Sequence, residues 1–295
     1  MIDVSIIIVN YNTCEVTKNC INSIFEYTKD INFEVILVDN NSQDESKSLF
    51  LRDKRIKYIY LTSNLGFGKA NNVGYEQSRG KYIFLLNSDT LLRSNAVKEF
   101  YDYMIEAPKY IAFVGTMLKD IDYNVIHSYG NYPNLLTGFK WYSILGLLLS
   151  KLGVINNKNV IVTNQQVDYI TGADLFIRKD VIKQYGLFDP DFFMYFEETE
   201  LQYRYSKYGY KSYIYSKPQI IHLENYSMNQ SYTTNHFRKL GVSLVSYYLY
   251  LKKCKGFIKY SIFRLLFAIV CPLWFIHPKF SYKTKLNYIK LAYKL

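Results

Sequence analysis

A chain of 295 residues, 49% of them hydrophobic and 21% charged, carries enough apolar mass for one substantial core, and no internal repeat or low-complexity linker interrupts it. The net charge of +11 is concentrated at one end: no Asp or Glu follows Glu224, whereas 12 Lys and Arg lie between Arg238 and Lys294, leaving 24 basic against 25 acidic residues upstream. The four cysteines, Cys14, Cys20, Cys254 and Cys271, lack zinc-ligand spacing, which argues against a zinc module and for buried thiols in a reducing compartment.

The first element is an apolar run, Val4 to Val9, ending on Asn10, Tyr11 and Asn12. Continuous rather than alternating hydrophobicity predicts a strand buried on both faces, hence a parallel sheet. Val16, Cys20, Ile21, Ile24 and Phe25 then recur at helical spacing behind Thr13 as N-cap. A second run, Glu34 to Val38, stops on Asp39-Asn40-Asn41-Ser42, and Arg55 to Leu61 offers a weaker strand interrupted by lysine and tyrosine. After the glycine-rich segment Asn64 to Gly74, Tyr82 to Leu86 is a strand ending on Asn87-Ser88-Asp89. Ser94 is the expected cap of a helix with Val97, Phe100, Tyr101, Met104 and Ile105 on one stripe, ended by Pro108, and Ile111 to Gly115 returns as a strand. This βαβ alternation predicts an α/β fold, and ligands in such sheets bind beyond the carboxyl ends of the strands, where Asn10, Asp39 and Asp89 fall.

Taken together, these segments resemble the nucleotide-sugar glycosyltransferases of the GT-A fold, and among them the family-2 group that includes bacterial rhamnosyltransferase-like enzymes. The likeness covers about the first 235 residues. Val9-Asn10-Tyr11-Asn12 is similar to the end of the family's opening strand, Val38 to Ser42 to its base-binding turn, and Asn64 to Gly74, with Gly68 and Lys69, to its glycine-and-asparagine segment. Asn87-Ser88-Asp89 falls on the metal-binding D-x-D position, with Asn87 in place of the first acid. Thr171-Gly172-Ala173-Asp174 and the run Phe192 to Leu201 resemble the acceptor-side and base-bearing motifs, and Ile220-Ile221-His222 the late metal-ligand strand. The resemblance implies a GT-A, Rossmann-like, mostly parallel sheet flanked by helices over residues 1–235, with a nucleotide-binding half (1–115) and an acceptor half (116–235). A basic, aromatic helical region, 236–295, follows.

Each motif also has a chemical reason. Departure of a nucleoside diphosphate calls for charge neutralisation, which Mg2+ or Mn2+ supplies, and Asp89 with His222 are the candidate ligands. Asp39 can accept from the imide N3–H shared by uracil and thymine, favouring a UDP- or dTDP-sugar, or can simply cap its own turn. Glu197, Glu198 and Glu200 are three acids in four residues behind an aromatic run, a setting that raises a carboxyl pKa toward the range of a general base. By register Glu198 takes the place of the family's base, with Glu197 a rival, and Glu200 and Arg204 join Gly172, Ala173 and Asp174 as acceptor or sugar contacts. Leu201-Gln202-Tyr203-Arg204-Tyr205 stands where a Gln-x-x-Arg-Trp motif would, and in similar enzymes the absence of that motif accompanies single rather than processive transfer.

Phe257 to Ile276 is apolar and aromatic but interrupted by Lys259, Arg264 and Pro272, and its uncharged part, Leu265 to Ile276, is shorter than the ~20 residues of a span. The expectation is an interfacial region on an anionic membrane surface, and its apolar content argues against nucleic acid as a partner. A second apolar patch, Phe139 to Leu149, suggests contact with membrane or a lipid-linked acceptor. Met1 leads straight into a strand without a basic segment, so the expected place is the cytoplasmic face of the cell membrane. The leading function is inverting, metal-dependent transfer of one sugar, with dTDP-rhamnose favoured, to a lipid-linked or cell-surface polysaccharide acceptor. The alternative is a non-catalytic nucleotide-sugar or glycan-binding scaffold. Oligomeric state is left open.

Overall fold

The computed structural model describes residues 1–152, 163–223, 232–276 and 281–294. Glu224, where the charge shift begins, lies outside the described residues. In chain order the first unit runs β1 (Val4–Asn10), α1 (Cys14–Tyr27), β2 (Phe33–Asp39), α2 (Ser46–Phe50), β3 (Lys57–Tyr60), α3 (Phe67–Glu76), β4 (Tyr82–Leu86), β5 (Thr90–Leu92), α4 (Ala96–Glu106), β6 (Ile111–Gly115) and β7 (Tyr129–Gly130). After α5 (Leu135–Tyr142) and α6 (Ile144–Lys151), which belong elsewhere, it resumes with β8 (Gln165–Val167), β9 (Tyr169–Ile170), β10 (Asp174–Arg178), α7 (Lys179–Tyr185), α8 (Glu197–Ser206), β11 (Lys211–Ile214) and β12 (Ile220–His222).

Eight of the described strands form one sheet in the order β3-β2-β1-β4-β10-β6-β11-β8. Six run the same way, while β10 lies antiparallel between β4 and β6, and β8 antiparallel at the edge. The expected mostly parallel sheet is therefore present. Its continuous apolar runs follow from burial on both faces. Ile6 and Ile8 of β1 join Cys20, Ile21 and Ile24 of α1 and Phe100 of α4 on one side, whereas Ile7 joins Ala70, Val181, Leu201 and Tyr205 from α3, α7 and α8 on the other. At Gly74 helix α3 comes so close to β1 that a β-carbon would collide with Ile7 Cγ2.

Two local expectations change. Thr13 stands at the N-cap of α1, but its hydroxyl donates to Asn10 Oδ1 (2.9 Å), and the orphan N–H of Cys14 is satisfied by Asp44 Oδ2 (2.9 Å) from the next crossover. Asn95, not Ser94, is the N-cap of α4, and Ser94 Oγ donates to Glu99 Oε2 (2.7 Å) while accepting from the Gln219 N–H (3.0 Å). Both hydroxyls serve partners distant in sequence, which a local capping pattern does not register. Of the cysteines, Cys20 and Cys271 are buried, and burial pushes each thiol up to about 12; Cys14 and Cys254 are half-buried.

The chain divides into two compact units, one of Met1–Asn131, Asn159–Phe193 and Glu197–Ser227, the other of Tyr132–Lys158, Met194–Phe196 and Met228–Leu295. The second unit is helical: α5, α6, α9 (Tyr232–Tyr250), a π turn at Leu251–Lys255, α10 (Phe257–Val270), a 3-10 turn at Cys271–Ile276 and α11 (Tyr282–Lys294). Aromatic rings fill its interior. Tyr247 packs on Tyr142, Phe196 and Phe263, Phe139 packs on Phe263, and Trp274 Nε1 donates to Tyr142 O (2.9 Å). The apolar patch of residues 139–149 thus falls on α5 and α6, in the same unit as the basic tail.

Candidate functional site

The in-register pairing of β1 with β2 sets Asn10 beside Asp39 at the carboxyl edge of the sheet. Asp39 is 0% exposed. Its Oδ1 accepts from the Ser42 N–H (2.7 Å) and its Oδ2 from Tyr58 Oη (2.8 Å), so the turn-capping role is realised. Tyr58, a residue that interrupts the apolar pattern of β3, does so because its hydroxyl serves this carboxylate; burial, then Asp39, raises its phenol pKa. Asn10 is saturated: its amide donates to Ser42 Oγ (3.0 Å) and Ser46 Oγ (2.8 Å), and its Oδ1 accepts from Thr13 and Thr17. Val9 is half-buried, Tyr11 is exposed, and Asn12 takes a positive φ of 56° with Oδ1 accepting from the Gln43 N–H (2.6 Å).

Asn40, a residue of the same turn, organises the next segment. It donates to Asn64 Oδ1 (3.0 Å) and accepts from the Leu65 N–H (2.8 Å), and Asn64 Oδ1 also accepts from the Gly66 N–H (2.9 Å). Gly66, at φ 84°, lies against the carbonyl of Phe193, which accepts from the Phe67 N–H (2.9 Å). The close approach at Gly66 is therefore to the protein's own chain. Lys69 is exposed on the first turn of α3.

The third strand end carries Asn87-Ser88-Asp89. Antiparallel pairing of β12 with β5 puts His222 opposite Thr90, and His222 Nε2 comes to 3.1 Å from Asp89 Oδ1. The Asn87 side-chain amide stands 3.5 Å from the same ring nitrogen, and Ser88 Oγ 3.4 Å from Thr13 Oγ1. Ligands at about 2.1 Å in octahedral coordination are about 3 Å from their neighbours, so the Asp89–His222 pair has the separation of two adjacent ligands of one cation. Among the described residues no group of three or more His, Cys, Asp or Glu side chains gathers. A cation here would take its other ligands from substrate oxygens and water, as magnesium commonly does.

The segment Gly172 to Asp174 links this turn to the acids. Ala173 O accepts from the Asn87 N–H (2.9 Å), and a β-carbon on Gly172 would touch Glu198 Cβ and Cγ at 3.7 and 3.8 Å. One on Gly68 would reach Glu197 Cβ at 3.7 Å. Thus Gly68, Gly172, Asn87, Asp89, His222, Glu197 and Glu198 lie along one connected run of contacts. Glu198 is half-buried and its Oε1 accepts from Thr199 Oγ1 (3.0 Å). Glu197 is 4% exposed, and among the described residues its Oε2 has no hydrogen-bond partner. Burial first, then repulsion from Glu198, pushes the Glu197 pKa well up, and burial raises that of Glu198, against the first-turn helix dipole that favours their anions. The two residues before α8, Tyr195 and Phe196, both take positive φ (69° and 67°), a strained pair of bulky side chains next to the acids.

Three predicted contacts lie elsewhere. Asp174 is fully buried in β10; Oδ2 accepts from the Thr116 N–H (2.6 Å), Oδ1 has no partner among the described residues, and burial raises its pKa well above the usual value. Glu200 and Arg204 form an i,i+4 ion pair (2.9 Å) whose guanidinium also donates to Leu187 O (2.6 Å) and to Tyr185 O, tying α8 to the end of α7. Gln202, unremarked as a site residue, holds β9 by donating to Ile170 O and accepting from its N–H (both 2.8 Å).

Residues 5–186 match the sequence profile of the family described as glycosyl transferase family 2. The chain belongs to that family. Among its relatives, the low-salt glycan biosynthesis hexosyltransferase Agl10 of Haloferax volcanii is 29% identical over 212 residues, 68% of this chain and 61% of that one. The N-acetylglucosaminyl-diphospho-decaprenol L-rhamnosyltransferase of Mycobacterium tuberculosis is 24% identical over 208 residues, 65% of this chain and 67% of its own. The chain spans about half the length of the first curated relatives it matches. In fold it is similar to GalNAc-T7, solved with UDP, GalNAc and Mn2+, at a TM-score of 0.58 and 16% identity over 85% of this chain and 51% of that one. The family-2 resemblance and the GT-A fold expected from the sequence are both borne out.

Proposed function

We propose that this family-2 chain moves one sugar from a UDP- or dTDP-sugar, with inversion, to a lipid-linked or cell-surface polysaccharide acceptor, and that the reaction depends on Mg2+ or Mn2+. The observation that carries the reading is the pairing of β12 with β5, which sets His222 Nε2 beside Asp89 Oδ1 at the strand edge where this sheet type binds its ligand. A divalent cation held there supplies neutralising charge to the departing diphosphate. Glu198, half-buried at the start of α8 and flanked by Gly172, is the general base. Its carboxylate takes the proton of the acceptor hydroxyl as that oxygen bonds to the anomeric carbon and the bond from that carbon to the diphosphate oxygen breaks. Glu197, the buried residue next to it, holds its own proton more tightly than usual because of burial and the negative charge of Glu198. The glycan relatives favour a polysaccharide acceptor, and the Mycobacterium enzyme's named activity favours dTDP-rhamnose.

The test is hydrolysis and transfer with purified protein and a panel of UDP, dTDP, GDP and CMP sugars, with and without Mn2+. Metal-dependent turnover of a UDP- or dTDP-sugar, lost in Asp89→Ala, is expected. Nucleotide-sugar binding without turnover under any metal would favour a non-catalytic glycan-binding scaffold.

A further inference from the structure

Helix α10 of the helical unit is built inside out for a helix in water. Phe263, Phe267, Cys271 and Trp274 are buried in that unit, where Phe263 and Phe267 stack on one another and meet Phe139 at a tilt. The opposite side carries Ile258, Ile262, Leu265 and Ile269, spaced i, i+4, i+7 and i+11 and between 43% and 75% exposed. At 100° per residue these four fall within about 60° of arc, one apolar ridge turned to solvent. Lys259 lies at one margin of the ridge and Arg264 toward the other, both exposed. The following 3-10 turn prolongs the apolar surface with Leu273, Phe275 and Ile276. A water-soluble surface normally breaks up such a ridge with polar residues, so an unbroken one marks a contact surface.

We infer that this ridge inserts into the outer layer of an anionic lipid bilayer, with α10 lying in the plane of the interface. Charge identifies the occupant: the sequence from residue 225 onward carries 12 cations and no anion, which suits anionic headgroups and repels a second copy of the same segment. Lys252 and Lys253 are exposed just before the helix, and Lys283 and Lys290 on α11. Aliphatic stems of lysine and arginine at the margins reach the headgroups while the ridge meets the acyl chains. The 20 residues Phe257–Ile276 have the length and hydropathy of a span. However, one side of this stretch is taken up by packing against Phe139 and Tyr142, Lys259 and Arg264 lie within it, and the α-helix gives way to a 3-10 turn at Cys271. An in-plane helix satisfies all three features. The inference is independent of the transferase reading.

Full-length protein is sedimented with vesicles of phosphatidylcholine alone or of phosphatidylcholine with phosphatidylglycerol. The account expects binding to the anionic vesicles only, weakened about tenfold by each of Leu265→Ser and Ile269→Ser and about fivefold by each of Lys252→Ser and Lys253→Ser, and release by alkaline carbonate. These side chains are exposed, so circular dichroism melting of each variant is expected to match wild type. Equal binding to neutral vesicles would overturn the account, as would resistance to carbonate, which indicates a span. Failure to bind vesicles, together with a dimer that Leu265→Ser and Ile269→Ser convert to monomer, would overturn it in favour of self-association.

Discussion

Two buried carboxylates, Asp39 at the end of β2 and Glu197 at the start of α8, have opposite settings. Asp39 has both oxygens engaged, by the Ser42 N–H and Tyr58 Oη, with a longer contact from the Asn10 amide (3.5 Å), and Asn10 itself bonds Ser42, Ser46, Thr13 and Thr17. Among the described residues Glu197 keeps one oxygen without a partner, as does Asp174 in β10, and both bind protons more tightly than usual. A satisfied buried polar group stabilises a fold, whereas an unsatisfied one costs about 1–3 kcal/mol and persists where the site needs it. The strand-tip network has the setting of a scaffold, and the acid pair on α8, which follows the positive-φ residues Tyr195 and Phe196, has the setting of the proposed reactive machinery.

The sharpest way to break this contrast is at Glu198. Glu198→Gln is expected to lower kcat by about 10²–10⁴-fold while leaving the thermal shift produced by donor nucleotide intact. The reverse pattern, with the large loss in Glu197→Gln alone, would move the base to Glu197. Activity of wild type is expected to climb with pH through the raised pKa of the acid pair, since the base acts as its anion.

At the scaffold, Asn10→Ala strips partners from four hydroxyls and is expected to cost about 2–3 kcal/mol in urea denaturation. Smaller and opposite in sign is the effect at the unsatisfied carboxyls. Folding raises the pKa values of Glu197 and Asp174, so the folded state binds their protons more tightly. The stability this contributes is complete below the ordinary carboxylate values of 4.5 and 3.8 and fades as pH climbs through the raised ones. Glu197→Gln and Asp174→Asn are expected to flatten that decline, with a gain on the order of 1 kcal/mol near neutrality, read from melting temperature against pH. Asp39→Asn, made in the satisfied network, is expected to destabilise at the same pH.

Much of the sheet was legible because β1, β2, β4 and β6 are apolar on both faces, and a continuous run states that directly. Tyr58 weakened the same signal in β3, which is nonetheless present, since its hydroxyl answers Asp39 and the apolar pattern breaks for a polar reason. The caps at Thr13 and Ser94 misled because their hydroxyls serve Asn10 and Glu99, and the Cys14 N–H is satisfied from 30 residues away. The antiparallel insertion of β10 carries no periodicity that differs from a parallel strand's. Of the site, Asp89 was legible from its strand, but His222 stands 133 residues on and reaches it through two three-residue strands too short to show a pattern, so only the family likeness pointed there. Asn40 was legible only as part of its turn, and the backbone-holding role of Gln202 was not legible at all, because no residue type signals such a role.

The central claim, a cation shared by Asp89 and His222 under a nucleoside diphosphate, is tested most directly by the melting temperature of wild type, Asp89→Asn and His222→Ala with UDP or dTDP, with and without Mn2+. The account predicts stabilisation that needs Mn2+ in wild type and is lost in both variants. Equal stabilisation without metal, or in the variants, would contradict it.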